Sequence, residues 1–112
     1  MKLIVSSIVI ALSLVSGCAS DPSCEDLCTE GQAGNCTSIT GNCGSFCAAL
    51  DKVDGPAGCE SQHEAYESCL ASKDNVCDAD CDAKDNALST CVGNYCLAHA
   101  SDPSCVTLQQ SF

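Results

Sequence analysis

Twelve cysteines fall between residues 24 and 105 of this chain: Cys24, Cys28, Cys36, Cys43, Cys47, Cys59, Cys69, Cys77, Cys81, Cys91, Cys96 and Cys105. No other feature limits the fold as strongly. The stretch that carries them is short and contains no Trp, with two Phe and two Tyr in the whole chain, so large apolar anchors are scarce. A chain of this length has limited capacity to bury a core. An even set of cysteines in an oxidising compartment implies six disulfides. Each contributes about 2–4 kcal/mol, largely by restricting the unfolded chain. Cross-links can therefore do here what a larger core does elsewhere.

Metal binding is the competing use of clustered cysteines, and the spacing argues against it. No C-x-x-C pair occurs, the arrangement that zinc ribbons and many redox sites use. The two histidines, His63 and His99, are isolated along the sequence. Neither a metal nor a cofactor is expected.

A thirteenth cysteine, Cys18, stands apart. Lys2 is followed by a mostly apolar run from Leu3 to Val15, broken by Ser6, Ser7 and Ser13. A run of that length reads as the core of a signal peptide and is too short to span a bilayer as a helix. Its end, Val15-Ser16-Gly17-Cys18, resembles the lipobox of bacterial lipoproteins. The resemblance covers residues 1–18 only. It implies a signal peptide over residues 1–17 that is removed, and acylation of Cys18 by diacylglyceryl and palmitate-type chains. It also implies anchorage of the mature protein to a membrane of the cell envelope. Ala19 occupies the place where Asp retains Gram-negative lipoproteins at the inner membrane, which points to the outer membrane in such a host. Acylation also accounts for the odd cysteine, because it removes Cys18 from the thiol pool and leaves twelve to pair.

The mature chain, Cys18–Phe112, is 95 residues long and one domain at most. Residues 18–23 form a short lipidated tether, and residues 24–112 form the cysteine-rich domain. This part carries Lys52, Lys73 and Lys84 against fifteen acidic residues and no arginine, a formal charge of −12. Such a surface does not engage nucleic acid, which requires basic contacts to phosphate. It does not adhere to anionic headgroups either, so membrane contact falls to the lipid on Cys18. The acidity reads as solubility and self-repulsion rather than as a patch made for a cationic partner.

Periodicity predicts an all-α, disulfide-rich domain of about four short helices with little or no strand. The first spans about 23–30, capped by Ser23 or Asp21 and ended by Gly31. The second spans about 43–52 and stops at Asp54-Gly55-Pro56. The third spans about 60–72, with His63, Tyr66, Cys69 and Leu70 inward. The fourth spans about 76–92, with Cys77, Cys81, Lys84, Leu88 and Cys91 on one face. Gly93-Asn94 interrupts it before a further turn with Tyr95 and Cys96, and the tail from Asp102-Pro103 to Phe112 is loop. Ser20-Asp21-Pro22-Ser23-Cys24 recurs as Ser101-Asp102-Pro103-Ser104-Cys105, and Asp-Pro-Ser before a helix is ordinary capping chemistry.

Cys24-x3-Cys28 and Cys43-x3-Cys47 each place two thiols one turn apart. Two such helices packed antiparallel would join Cys24 to Cys47 and Cys28 to Cys43. Cys59-x9-Cys69 followed by Cys81-x9-Cys91 resembles the twin C-x9-C helical hairpin over about 33 residues. That resemblance implies Cys59–Cys91 and Cys69–Cys81, with Cys77 left without a place. Twelve cysteines allow on the order of ten thousand pairings, and connectivity stays open at this point.

Catalytic and ion-binding motifs do not complete. Asp78, Asp80 and Asp82 begin like an EF-hand loop, but Ala83 and Ser89 stand where the turn glycine and the bidentate glutamate are required. They read as a solvated acidic face, with Asp80 and Lys84 able to pair at i, i+4. His63 beside Glu64 and Glu67 suggests acid–base chemistry, yet no G-x-S-x-G or Gly-rich phosphate loop accompanies it. The expectation is a non-catalytic binding or structural module anchored at the cell envelope, with a possible envelope protein as partner. The alternatives are a freely secreted cysteine-rich inhibitor or effector, and an envelope thiol-redox protein.

Overall fold

The computed structural model describes residues 22–112. The signal peptide, Cys18 and most of the tether lie outside those residues. The described chain forms five α-helices and one 3₁₀ turn, with no strand among the described residues. They are α1 (Cys24–Ala33), α2 (Cys43–Ala57), α3 (Glu60–Leu70), the 3₁₀ turn (Val76–Asp78), α4 (Asp82–Ala98) and α5 (Pro103–Gln110). The all-α, disulfide-rich class is as the sequence predicts.

Helix α2 is the hub, since it packs against α1, α3, α4 and α5. Its inward side chains Phe46, Cys47, Ala49, Leu50 and Val53 join Cys59, Leu88, Cys96, Cys105 and Leu108 in one core cluster. Cysteine sulfur thus fills space that aromatic rings occupy in larger domains.

Six disulfides tie the helices together. Cys24 is bonded to Cys47 and Cys28 to Cys43, the pairs that antiparallel packing of two helices would form. Cys59 is bonded to Cys91 and Cys69 to Cys81, the outer and inner pairs of the twin C-x9-C pattern. The remaining bridges are Cys36–Cys77 and Cys96–Cys105.

Helix α1 starts on a capping box: the Ser23 hydroxyl accepts from Asp26 N, and the Asp26 carboxylate accepts from Ser23 N. It runs through Gly31 to Ala33 rather than stopping at Gly31. Gly31 is buried inside the helix because the returning loop crosses it, and a Cβ there would lie 3.2 Å from Thr37 Cβ. The Gln32 amide then donates to Ile39 O and Gly41 O at 3.0 and 2.8 Å, which braces the loop.

Helix α2 also outlasts its expected end. Pro56 lies in its last turn, where it costs only the hydrogen bond to the carbonyl of Lys52, an exposed residue that water can satisfy. Termination comes at Gly58, whose φ of 70° requires glycine, and whose N–H returns to Asp54 O and Gly55 O.

The expected helix over 76–92 is split. Cys77 and Cys81 would share one helical face, but their partners lie apart: Cys36 in the loop after α1, Cys69 at the end of α3. The chain unwinds through Ala79–Cys81 to reach both. Asp80 therefore precedes α4, and no Asp80–Lys84 ion pair forms among the described residues. Gly93-Asn94 does not interrupt α4, because Leu88, Val92 and Cys96 carry one apolar stripe straight through it.

The tail is helical, not loop. Asp102 caps α5 by accepting from Ser104 N at 2.8 Å, with Pro103 in the first turn. Both Asp-Pro-Ser sites thus open helices, but Ser23 caps the first and Asp102 the second. Buried Cys105 and Leu108 hold α5 against α2.

Candidate functional site

Between α3, α4, α5 and the loop around Ile39 lies an open cleft of about 660 Å³. That is within the ordinary range for ligand sites. Its floor comes from the hub helix and its neighbours: Phe46 and Leu50 from α2, Leu88 and Val92 from α4, and Leu108 from α5. Leu70 and Tyr66 of α3 and Val76 of the 3₁₀ turn close one side. Phe112 reaches the cleft from the C-terminus and meets Phe46 edge-on, with ring centroids 6.0 Å apart. The backbone of the same tail is held by Thr40 N donating to Ser111 O at 2.8 Å.

Two apolar side chains on this lining face water: Leu97 is 83% exposed and Phe112 63% exposed. The charged groups of the lining are Asp82 and Asp85, and no lysine or histidine contributes to it. Tyr66 senses that field. Its phenol is pushed up to about 12 by burial, and then by the carboxylates of Asp85 and Asp82. The cleft is thus mainly apolar, and its charge is negative.

A second polar cluster lies at the elbow between α2 and α3. Asp54 of α2 and His63 of α3 are both buried, and Asp54 Oδ2 contacts His63 Nδ1 directly. Glu67 Oε1, one turn further along α3, is 2.8 Å from His63 Nε2. It is close enough for a charge contact but out of line for a directed hydrogen bond. Asp54 Oδ1 is buried with no hydrogen-bond partner. Burial pushes the Asp54 carboxyl above its ordinary value of 3.8, and the hydrogen bond from His63 offsets this only in part. The elbow itself is rigid: Cys59 N donates to Asp54 O at 2.9 Å, and the fully buried Cys59 is bonded to Cys91.

The sequence paired His63 only with its helical neighbours Glu64 and Glu67. It did not bring in Asp54, nine residues back across an expected break. The hydrogen-bonding reach of Asp54 depends on α2 continuing as helix to Ala57. His99 is elsewhere, exposed and stacked on Tyr95 with centroids 4.0 Å apart. Asp78 ends the 3₁₀ turn while Asp82 begins α4, so the acidic triplet does not form one helical face. All twelve cysteines of residues 24–105 are in disulfides, so none offers a thiol. No helix among the described residues is long and apolar enough to cross a membrane.

No protein-family model matches this sequence, no curated protein matches it, and no solved structure matches it.

Proposed function

We propose that the chain is an exported lipoprotein, anchored through acyl groups on Cys18, whose disulfide-stapled domain is a non-catalytic binding module. Six disulfides suit an oxidising compartment. Anchorage rests on the lipobox-like end of the N-terminal segment, and each buried methylene of an acyl chain contributes about 0.8 kcal/mol. The observation that carries the binding role is the open, mainly apolar cleft whose charged lining groups are Asp82 and Asp85. That arrangement suits an apolar ligand bearing a positive charge, such as an apolar, cationic segment of an envelope protein. Apolar contact supplies the affinity, and the two carboxylates select the charge.

Two measurements test this reading. Intact-mass analysis of the protein made with its own N-terminal segment should show a chain that begins at Cys18 and carries acyl groups. An unmodified soluble chain overturns the anchor and favours the freely secreted alternative. Titration with dodecyltrimethylammonium and with dodecyl sulfate, below their micellar concentrations, tests the cleft. The cation should bind about tenfold tighter, a difference of about 1.4 kcal/mol, and the double variant D82N/D85N should remove the preference. Equal binding of the two amphiphiles by the unaltered protein overturns the assignment.

A further inference from the structure

Asp51 adds a third donor to the Asp54–His63 pair at the α2–α3 elbow. One donor atom each from Asp51, Asp54 and His63 lies within a sphere of contact in which all are within 4.8 Å of one another. Asp51 and Asp54 are on α2, three residues apart and on one face, and His63 comes from α3 across the Gly58 turn. The Gly58 cap turns the chain from α2 into α3, and the Cys59–Cys91 bridge ties the start of α3 to α4, so the elbow that carries the donors is anchored on both sides.

A cluster of carboxylates alone would mean little on so acidic a chain. Two further observations single this one out. Asp54 has a side chain only 8% exposed, and its Oδ1 has no hydrogen-bond partner. A buried carboxylate oxygen left in that state is costly unless a cation or donor meets it. The second observation concerns the histidine. Glu67 Oε1 lies 2.8 Å from Nε2 on the far side of the ring, a charge contact rather than a directed hydrogen bond, while Nδ1 faces Asp54. A carboxylate on one ring nitrogen orients a histidine to present the lone pair of the other to a metal.

We propose that Asp51, Asp54 and His63 bind one divalent first-row cation of the Zn²⁺ type, with Glu67 as the orienting group behind His63. One imidazole and two carboxylates make a mixed nitrogen–oxygen set that suits Zn²⁺ better than Ca²⁺, which prefers six or more oxygens. The cation takes the place of the direct contact between His63 Nδ1 and Asp54 Oδ2. Asp51 is the exposed member of the set. The site is remote in role from the apolar cleft and does not rest on the amphiphile reading.

The test is titration of the fully oxidised mature protein with Zn²⁺, followed by calorimetry and by the ring signals of His63 in NMR spectra. One Zn²⁺ should bind per chain, with the His63 signals shifting and those of His99 unmoved. Asp51→Asn, which alters an exposed side chain and should leave the fold intact, should abolish the His63 shift, as should His63→Gln the calorimetric binding. Glu67→Gln should weaken binding about tenfold. Asp80→Asn, away from the cluster, should leave it unchanged. Unmoved His63 signals under saturating Zn²⁺ overturn the proposal. So does Zn²⁺ binding that survives Asp51→Asn, or an equal His63 response to Ca²⁺.

Discussion

Cys36 and Cys77 are joined across 41 residues, the widest sequence separation of the six bridges, with their Cα atoms 5.5 Å apart. The bond ties the loop after α1 to the 3₁₀ turn, where Glu30 Oε1 also accepts from Val76 N at 2.9 Å. Both cysteines line the cleft. A closed loop of this size constrains the unfolded chain by about 4 kcal/mol in the chain-entropy model, against about 3 kcal/mol for the Cys96–Cys105 loop with a separation of 9. The double variant C36S/C77S should therefore lose about 4 kcal/mol of stability in urea unfolding. It should also weaken binding of cationic amphiphiles, while the α1–α2 and α3–α4 bridges remain closed in a peptide map.

Two glycines should respond in opposite directions. Gly93 is inside α4, where a Cβ would meet nothing within 4 Å. Gly93→Ala should raise stability by about 0.5–1 kcal/mol, because alanine loses less backbone freedom on folding. Gly34 is different, since a Cβ there would overlap Cys77 Sγ. Gly34→Ala should destabilise by about 1–3 kcal/mol, the usual range for overpacking against a fixed neighbour. Thermal unfolding of the two variants in parallel checks both.

Tyr66 should remain protonated well past the ordinary phenol value of 10.0, ionising only at about 12. Its folded value is raised above its unfolded value, so it favours folding fully below pH 10.0 and loses that contribution as pH rises through about 12. Phenolate absorbance followed against pH should show a late step that Tyr66→Phe removes. D82N/D85N should move that step to lower pH, because two of its causes are then gone. A Tyr66 step that D82N/D85N leaves in place would show that the carboxylates of the cleft do not act on the phenol.

Much of the fold was legible because cysteine spacing reports helical faces. Cys24-x3-Cys28 against Cys43-x3-Cys47 described a hairpin, and the C-x9-C repeat described α3 and α4. What was not legible depended on contacts far apart in sequence. Helix α5 has only Cys105 and Leu108 as buried apolar positions, too few to show a period, and it is held by Cys96 and α2. The split before α4 follows from the two partners of Cys77 and Cys81, which no local pattern records. The elbow cluster was hidden for a related reason. Asp54-Gly55-Pro56 carries the residues of a break, yet the break comes at Gly58, and those extra residues of α2 present Asp54 to His63. The cleft could not be read at all, because it is made by residues of four helices and the Cys36–Ile39 loop that lie far apart in sequence.

The sulfur atoms of Cys47, Cys59, Cys96 and Cys105 lie within the core itself. Reduction would therefore do more than lengthen loops; it would cut cross-links that run through the core, leaving only small apolar thiols in their place. With no Trp and few other aromatic rings, the chain has little else to hold such a core together. Oxidation then acts as the timer of the fold, and the helices lock together only where electrons can be taken from the thiols.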